Sequence, residues 1–319
     1  MSSPIIRTFS YHYRKKYGHG VGKIPVDMGQ PCPNRLRGGC IFCRPASFTP
    51  SYLRNTDGTD DLLRQVTAGK KHLLKGRFVK YLAYFQQETC TALPVAQLLP
   101  AFHLLLADAD CVGLILSTRP DYISEQLLAP LAELIDKTGK ECLFELGLQT
   151  VHERSLQLLN RNHGFAEFQD AVRLIKGAGC FELGTHLIFG IPGESEEDML
   201  YSVGTVCALG VNALKLHHLQ VIRDTPLQQL YEQKKVAVFS LETYLQLLLK
   251  VLPLIPAQVT IHRLWATAHP DLLIAPQWNV LASSLSEVLR EKMAEMGVCQ
   301  GQRLELARIH YNTSPDGKG

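Results

Sequence analysis

No apolar run in the 319-residue chain approaches the roughly 18–20 residues that a membrane-spanning helix requires. The most apolar stretch, residues 244–256, is broken by Gln246, Lys250 and Pro253. A signal-peptide pattern is also missing, because residues 1–10 lack an apolar core and residues 11–16 are basic and aromatic. A cytoplasmic location is the expectation. The nine cysteines are odd in number, which argues against a secreted disulfide framework. Neither an internal repeat nor a low-complexity tract is present, so a solenoid and a long linker are both excluded. What remains is a soluble globular composition, with 46% hydrophobic and 20% charged residues.

The net charge of +3 is too small to announce a nucleic-acid partner, but its distribution is uneven. Arg7, Arg14, Lys15, Lys16, Lys23, Arg35, Arg37 and Arg44 precede residue 45 against Asp27 alone. Phe9, Tyr11, Tyr13 and Tyr17 interleave with these charges. Residues 1–30 therefore read as a basic, aromatic arm suited to phosphate contacts and base stacking. The competing reading is an arm draped over its own domain.

Beyond residue 60 the chain alternates short apolar runs with helical patterns. Residues 79–87, 111–117, 143–149, 185–189 and 213–221 read as strands. Residues 59–74, 95–107, 124–138, 152–160, 165–177 and 195–209 read as helices. Such alternation implies βαβ units around a parallel sheet. From residue 240 the pattern turns helical, at 241–252 and 281–296. Residues 260–279 read as a loop-like connection, and residues 312–319 as a flexible polar tail.

The chemistry concentrates in Cys32-Pro-Asn-Arg-Leu-Arg-Gly-Gly-Cys40-Ile-Phe-Cys43. Gly38 and Gly39 allow a tight turn, so three sulfurs can converge on one object. A structural zinc takes four ligands, and His12 or His19 would have to supply the fourth. A cubane iron–sulfur cluster on three thiolates instead leaves one iron open to a cofactor or substrate. Cys90, Cys111, Cys142, Cys180, Cys207 and Cys299 are scattered and read as buried structural thiols.

This cysteine loop, followed by βα units, resembles the radical S-adenosylmethionine (SAM) superfamily. Gly147-Leu-Gln149-Thr, Leu159-Asn-Arg161 and His186-Leu-Ile-Phe-Gly190-Ile-Pro-Gly193-Glu194 resemble its HemN- and Elongator-like branch. Ser117-Thr-Arg-Pro-Asp121 resembles an Elongator-type turn, with Ser117 where that turn has Glu. Tyr84-Phe-Gln-Gln-Glu-Thr, Lys215-Leu-His-His-Leu, Ile261-His-Arg-Leu and Ala275-Pro-Gln-Trp278 are similar to the YhcC/YtqA family. The resemblance implies a partial (β/α)6 barrel with a helical C-terminal extension, with a core over residues 31–235 and the extension over 236–311. It implies a [4Fe-4S] cluster on Cys32, Cys40 and Cys43. It also implies SAM held near Phe42, Gln86, Gln87, Gln149, Arg161 and Ile188. His186 stands where that branch often has Asp. Reductive cleavage of SAM to a 5′-deoxyadenosyl radical, with an electron from a flavodoxin or ferredoxin, is the implied reaction.

Lys215 and His217 alternate onto one face of their strand, and a lysine aimed into a barrel is costly unless it meets an anion or substrate. Lys215, His217, His262 and Arg263 are therefore the substrate candidates. The resemblance and the basic arm together suggest tRNA, with wobble-uridine modification as the outcome. A small-molecule or protein substrate is the rival within enzymes, and a non-catalytic zinc- or iron–sulfur-binding module the rival outside them.

Overall fold

A computed structural model describes residues 4–53 and 62–303. The chain opens with helix α1 (Phe9–Tyr17), which leads into strand β1 (Val21–Val26). Helix α2 (Leu62–Gly69) follows the cysteine loop and runs on as a wider π turn to Leu74. The body then alternates β2 (Lys80–Phe85), α3 (Val95–Leu106), β3 (Cys111–Thr118), α4 (Glu125–Thr138) and β4 (Glu141–Gln149). Next come α5 (Glu153–Leu158), α6 (Phe165–Gly177), β5 (Glu182–Phe189), α7 (Glu196–Ala208) and β6 (Ala213–His218). The C-terminal part adds β7 (Val221–Ile222), α8 (Pro226–Glu232), α9 (Leu241–Val251), β8 (Thr260–Arg263), β9 (Leu273–Ala275) and α10 (Ala282–Glu295).

Strands β1 to β6 stand in chain order and pair in parallel, and β8 joins beyond β6. The expected partial parallel barrel is what forms, with its last strand drawn from the C-terminal segment. The short pair β7–β9 is antiparallel and separate. Helices cover the outer face, where Phe85, Leu114, Leu116, Phe144, Leu187 and Leu216 are fully buried against α3, α4, α6 and α7. Period-two alternation sends the other set of side chains inward.

The N-terminal stretch is not a free arm. Ile261 donates its backbone N–H to Arg7, and Thr8 bridges to Ile261 on the far edge strand β8. Thr8 then caps α1 by accepting from the Tyr11 N–H, and the helix crosses to the other edge strand, β1. Phe9, Tyr13 and Tyr17 are four residues apart and so share one helical face. That face turns inward: Tyr13 is 1% exposed and packs with Val21, Leu82, Tyr84, Ile115 and Leu143. Tyr13 and Tyr17 both donate to Glu141, at the start of β4. Helix α1 thus closes the floor of the partial barrel, and its aromatics are spent on the interior. Arg14, Lys15 and Lys16 keep their exposure.

The connection at 260–279 also differs from expectation, since it contains β8 and β9. Of the six scattered cysteines, Cys90, Cys111 and Cys142 are buried, whereas Cys180 and Cys299 are exposed. The polar tail at 312–319 and the first residues of the helix expected from 59 lie outside the described residues. No helix among the described residues is long and apolar enough to cross a membrane.

Candidate active site

A cavity of about 230 Å³ opens at the C-terminal ends of the strands, where the βα loops of parallel barrels converge. Cys32, Cys40 and Cys43 all line it, on the loop that follows β1. Gly38 and Gly39 adopt φ of 89° and 71°, the left-handed region that only glycine enters without strain, and so turn Cys40 back toward Cys32. The loop is clamped to residues 160–162 by side-chain amides. Asn34 donates to the Asn160 carbonyl at 2.8 Å, Asn162 donates to Asn34 at 2.8 Å, and Asn160 donates to the Gly39 carbonyl at 2.6 Å.

The sulfurs meet hydrogen-bond donors. Asn34 Nδ2 and Arg161 Nη1 approach Cys40 Sγ at 3.2 and 3.1 Å, and Thr89 Oγ1 approaches Cys32 Sγ at 3.1 Å. Donors on sulfur stabilise thiolates, not thiols. Cys43 opens onto the cavity, and the surrounding protein, then the neighbouring Cys40, pushes its thiol up to about 12. The zinc reading fails on geometry. His12 pairs with Arg7 on α1 and His19 precedes β1, both at the opposite end of the sheet. Among the described residues, no three His, Cys, Asp or Glu side chains converge closely enough for a single ion.

Most other candidates gather in the same cavity. Phe42, Gln86, Gln149, Arg161 and Ile188 line its upper part, and Lys215, His217 and Arg263 its lower part. Gln149 has φ of 86°, an unusual backbone for a non-glycine residue, and it turns the end of β4 into the cavity. A Cβ on Gly147 would lie 3.2 Å from both Arg161 Nη2 and Gln149 Nε2, so only glycine leaves these two side chains their places. Arg161 Nη2 also donates to the Gly147 carbonyl.

Two candidates fall outside. Gln87 turns away and donates to Thr49 Oγ1 at 2.8 Å, while its neighbour Glu88 lines the cavity and receives Cys32 N–H and the Arg35 fork. His262 is 3% exposed in its side chain and points beneath the cavity, to Glu145. The Arg119 of the Ser117–Asp121 turn pairs with Asp121 through two bonds of 2.9 Å and donates to the Arg161 carbonyl, which anchors the turn.

Glu145 was missed by sequence reasoning and is the hub of the floor. Its side chain is 1% exposed and receives Lys215 Nζ on Oε2 together with His186 Nε2 at 3.4 Å. Its Oε1 receives His262 Nδ1 at 3.0 Å, with Lys23 Nζ at 3.9 Å. Burial opposes its charge, but Lys215 and Lys23 outweigh it and hold the carboxyl well below its usual range. Burial lowers Lys215 to about 8 against the pull of Glu145, and lowers His186 to about 4 and His262 to about 3. The available signal was a carboxylate inside an apolar strand, since an unpaired glutamate is almost never fully buried.

The radical SAM superfamily profile matches residues 29–204, and the radical SAM C-terminal domain profile matches residues 211–295. YtqA of Bacillus subtilis is 36% identical over 306 residues, 93% of each chain. The chain belongs to the YhcC/YtqA family of the radical SAM superfamily. YhcC of Escherichia coli K12 is 33% identical over 278 residues, covering 86% of this chain and 87% of that one. The solved structure of archaeal Methanocaldococcus infernus Elp3 with an N-terminal deletion superposes with a TM-score of 0.65 at 20% identity. That alignment covers 88% of this chain and 64% of that one, and shares the fold. This radical SAM protein is an enzyme whose cofactors are a [4Fe-4S] cluster and SAM. Three thiols on one cavity, two of them with donors on sulfur and with polar groups beside them, fit that pair of cofactors.

Proposed function

We propose that this enzyme abstracts a hydrogen atom from a tRNA wobble uridine seated in the cavity between the cysteine loop and the Glu145 floor. In this reading Cys32, Cys40 and Cys43 hold the cluster, Phe42 and Ile188 pack on the adenine, and Gln86, Gln149 and Arg161 meet the polar parts of SAM. When bound, the reduced cluster and SAM supply a 5′-deoxyadenosyl radical, at the cost of one electron from a flavodoxin- or ferredoxin-type donor. The chain's own task is to hold one C–H bond of the substrate in range and to keep water out. The observation that carries the reading is the shared cavity: three cysteines at its mouth and a buried ionic floor opposite, Lys215 and Arg263 included.

The tRNA part is supported by the resemblance to the Elongator branch. It is also supported by the charge of the cavity, where Arg44, Arg119, Arg161, Lys215 and Arg263 outnumber Glu88 with Glu145 beneath. One finding favours a second reading, a small polar molecule or a protein side chain: Phe9 and Tyr13 are folded into the floor and cannot stack on bases. The experiment is anaerobic reconstitution with iron and sulfide, SAM cleavage under dithionite, and mass spectrometry of tRNA nucleosides from a deletion strain. Release of 5′-deoxyadenosine with an altered wobble nucleoside is expected. An unchanged nucleoside profile refutes the tRNA substrate, and absence of cleavage refutes the reaction.

A further inference from the structure

The charges of the cavity floor do not balance, and the imbalance lies where substrate would sit. Each inward-facing strand contributes: Lys23 from β1, Tyr84 from β2, Ser117 from β3, Glu145 from β4, His186 from β5, Lys215 and His217 from β6, and His262 and Arg263 from β8. Of these, Lys215 and Arg263 are the cations, Lys23 is pushed well below the usual lysine range by burial, and Glu145 is the one anion. A carboxylate offers about four lone-pair sites. Lys215 and His186 take those of one oxygen, and His262 and Lys23 approach the other. Glu145 is thereby engaged by Lys215, His186 and His262, and it makes no ion pair with Arg263.

Arg263 is the register partner of Lys215 across the β6–β8 ladder. It lines the cavity, is half-buried, and among the described residues its side chain makes neither a hydrogen bond nor an ion pair. The other arginines of the cavity wall are engaged: Arg44 with Asp224, Arg119 with Asp121, and Arg161 with Cys40 and Gly147. A guanidinium that opens onto a cavity with its fork unused presents parallel donors, the geometry that a bidentate oxyanion fills. Tyr84 adds a hydroxyl on the same wall, beside the Lys215 ammonium.

We infer that the floor between Lys215 and Arg263 is an anion-binding subsite that seats a carboxylate or phosphate group of the substrate. Glu145 is a positioning residue there, holding Lys215 charged and upright while leaving Arg263 to the ligand. The inference deepens the function proposed above and rests on it for the word substrate, but anion binding itself requires no turnover. The function proposed above gives the polar parts of SAM to Gln86, Gln149 and Arg161, so the subsite is tested with SAM already bound.

The test uses reconstituted, SAM-saturated, unreduced enzyme. Malonate and inorganic phosphate are titrated separately by calorimetry at constant ionic strength, with chloride as the control. Binding of either anion above chloride is expected, and Arg263→Gln should weaken it at least tenfold, the loss of a charge-assisted fork. Arg263→Lys should recover part of that loss, and circular dichroism with iron content verifies that the variants are folded and loaded. Malonate alone binding identifies a carboxylate, phosphate alone a phosphate, and both support an oxyanion site. If neither anion binds above chloride, or folded Arg263→Gln binds as the parent does, the subsite is refuted. SAM cleavage by the parent enzyme under dithionite judges the radical reaction separately.

Discussion

Acid should unfold this enzyme at a pH where most proteins of its size are stable, because so many of its histidines are buried neutral. Burial lowers His163 and His186 to about 4, His218 and His262 to about 3, and His217 well below its usual value. In the unfolded chain each returns to a pKa near 6.5. The folded values are depressed, so this contribution to stability is fully present above pH 6.5 and is lost as pH falls toward 4. Between pH 7.5 and 5.5 each such histidine removes about 1.4 kcal/mol, since the unfolded state alone takes up the proton. The four with folded values of about 3 to 4 together amount to roughly 5 kcal/mol, comparable with the 5–15 kcal/mol of a whole domain, and His217 acts in the same direction. Urea unfolding followed by far-ultraviolet circular dichroism at pH 7.5, 6.5 and 5.5 measures this directly. Both cluster-free and cluster-loaded protein should be used, so that acid lability of the cluster is separated from histidine protonation. A decline below about 2 kcal/mol across that range would refute the neutral, buried state of these side chains.

Other outcomes follow from single contacts. Cys40→Ala should abolish the cluster, seen as loss of iron, sulfide and visible absorption, and chelation of iron from the parent should do the same while leaving the far-ultraviolet spectrum intact. Glu145→Leu strands two lysines in the floor and should cost about 3–5 kcal/mol in a urea titration, the usual penalty for breaking a buried ionic cluster. Glu145→Gln removes the attraction that raises Lys215, so anion binding should be lost at a lower pH than the value near 8 expected of the parent; a pH series of the calorimetry checks the direction. Tyr13→Ala should cost about 3–5 kcal/mol, as other deletions of buried aromatics do, while a surface change such as Lys15→Ala should stay within about 0.5 kcal/mol.

Much of the barrel was legible because its inner strands are buried on both sides and read as near-continuous apolar runs. Strands β2 to β6 fall within a few residues of their expected places. The edge strands were not legible, for a physical reason. Strand β1 carries Gly22, Lys23 and Pro25, which interrupt any run, and proline is tolerated there because an edge has one side without a ladder partner. Strand β8 carries His262 and Arg263, whose polarity serves the floor. Helix α1 looked like an arm because five of its nine residues are His, Arg or Lys or the half-buried Tyr11, although the four-residue spacing of Phe9, Tyr13 and Tyr17 marked its buried face. The cysteines and most of the cavity wall could be read from motifs. Glu145 could not, since its role arises from partners on β1, β5, β6 and β8 that only the curvature of the sheet brings together.

The floor has an implication for biosynthesis. Its helix leaves the ribosome well before one of its two anchors, Thr260–Arg263, which lies far later in the chain. Until then Phe9 and Tyr13 have no finished interior to enter. A chain that stops short of that anchor would present an aromatic, basic helix to chaperones and proteases, so quality control has a ready mark for unfinished copies.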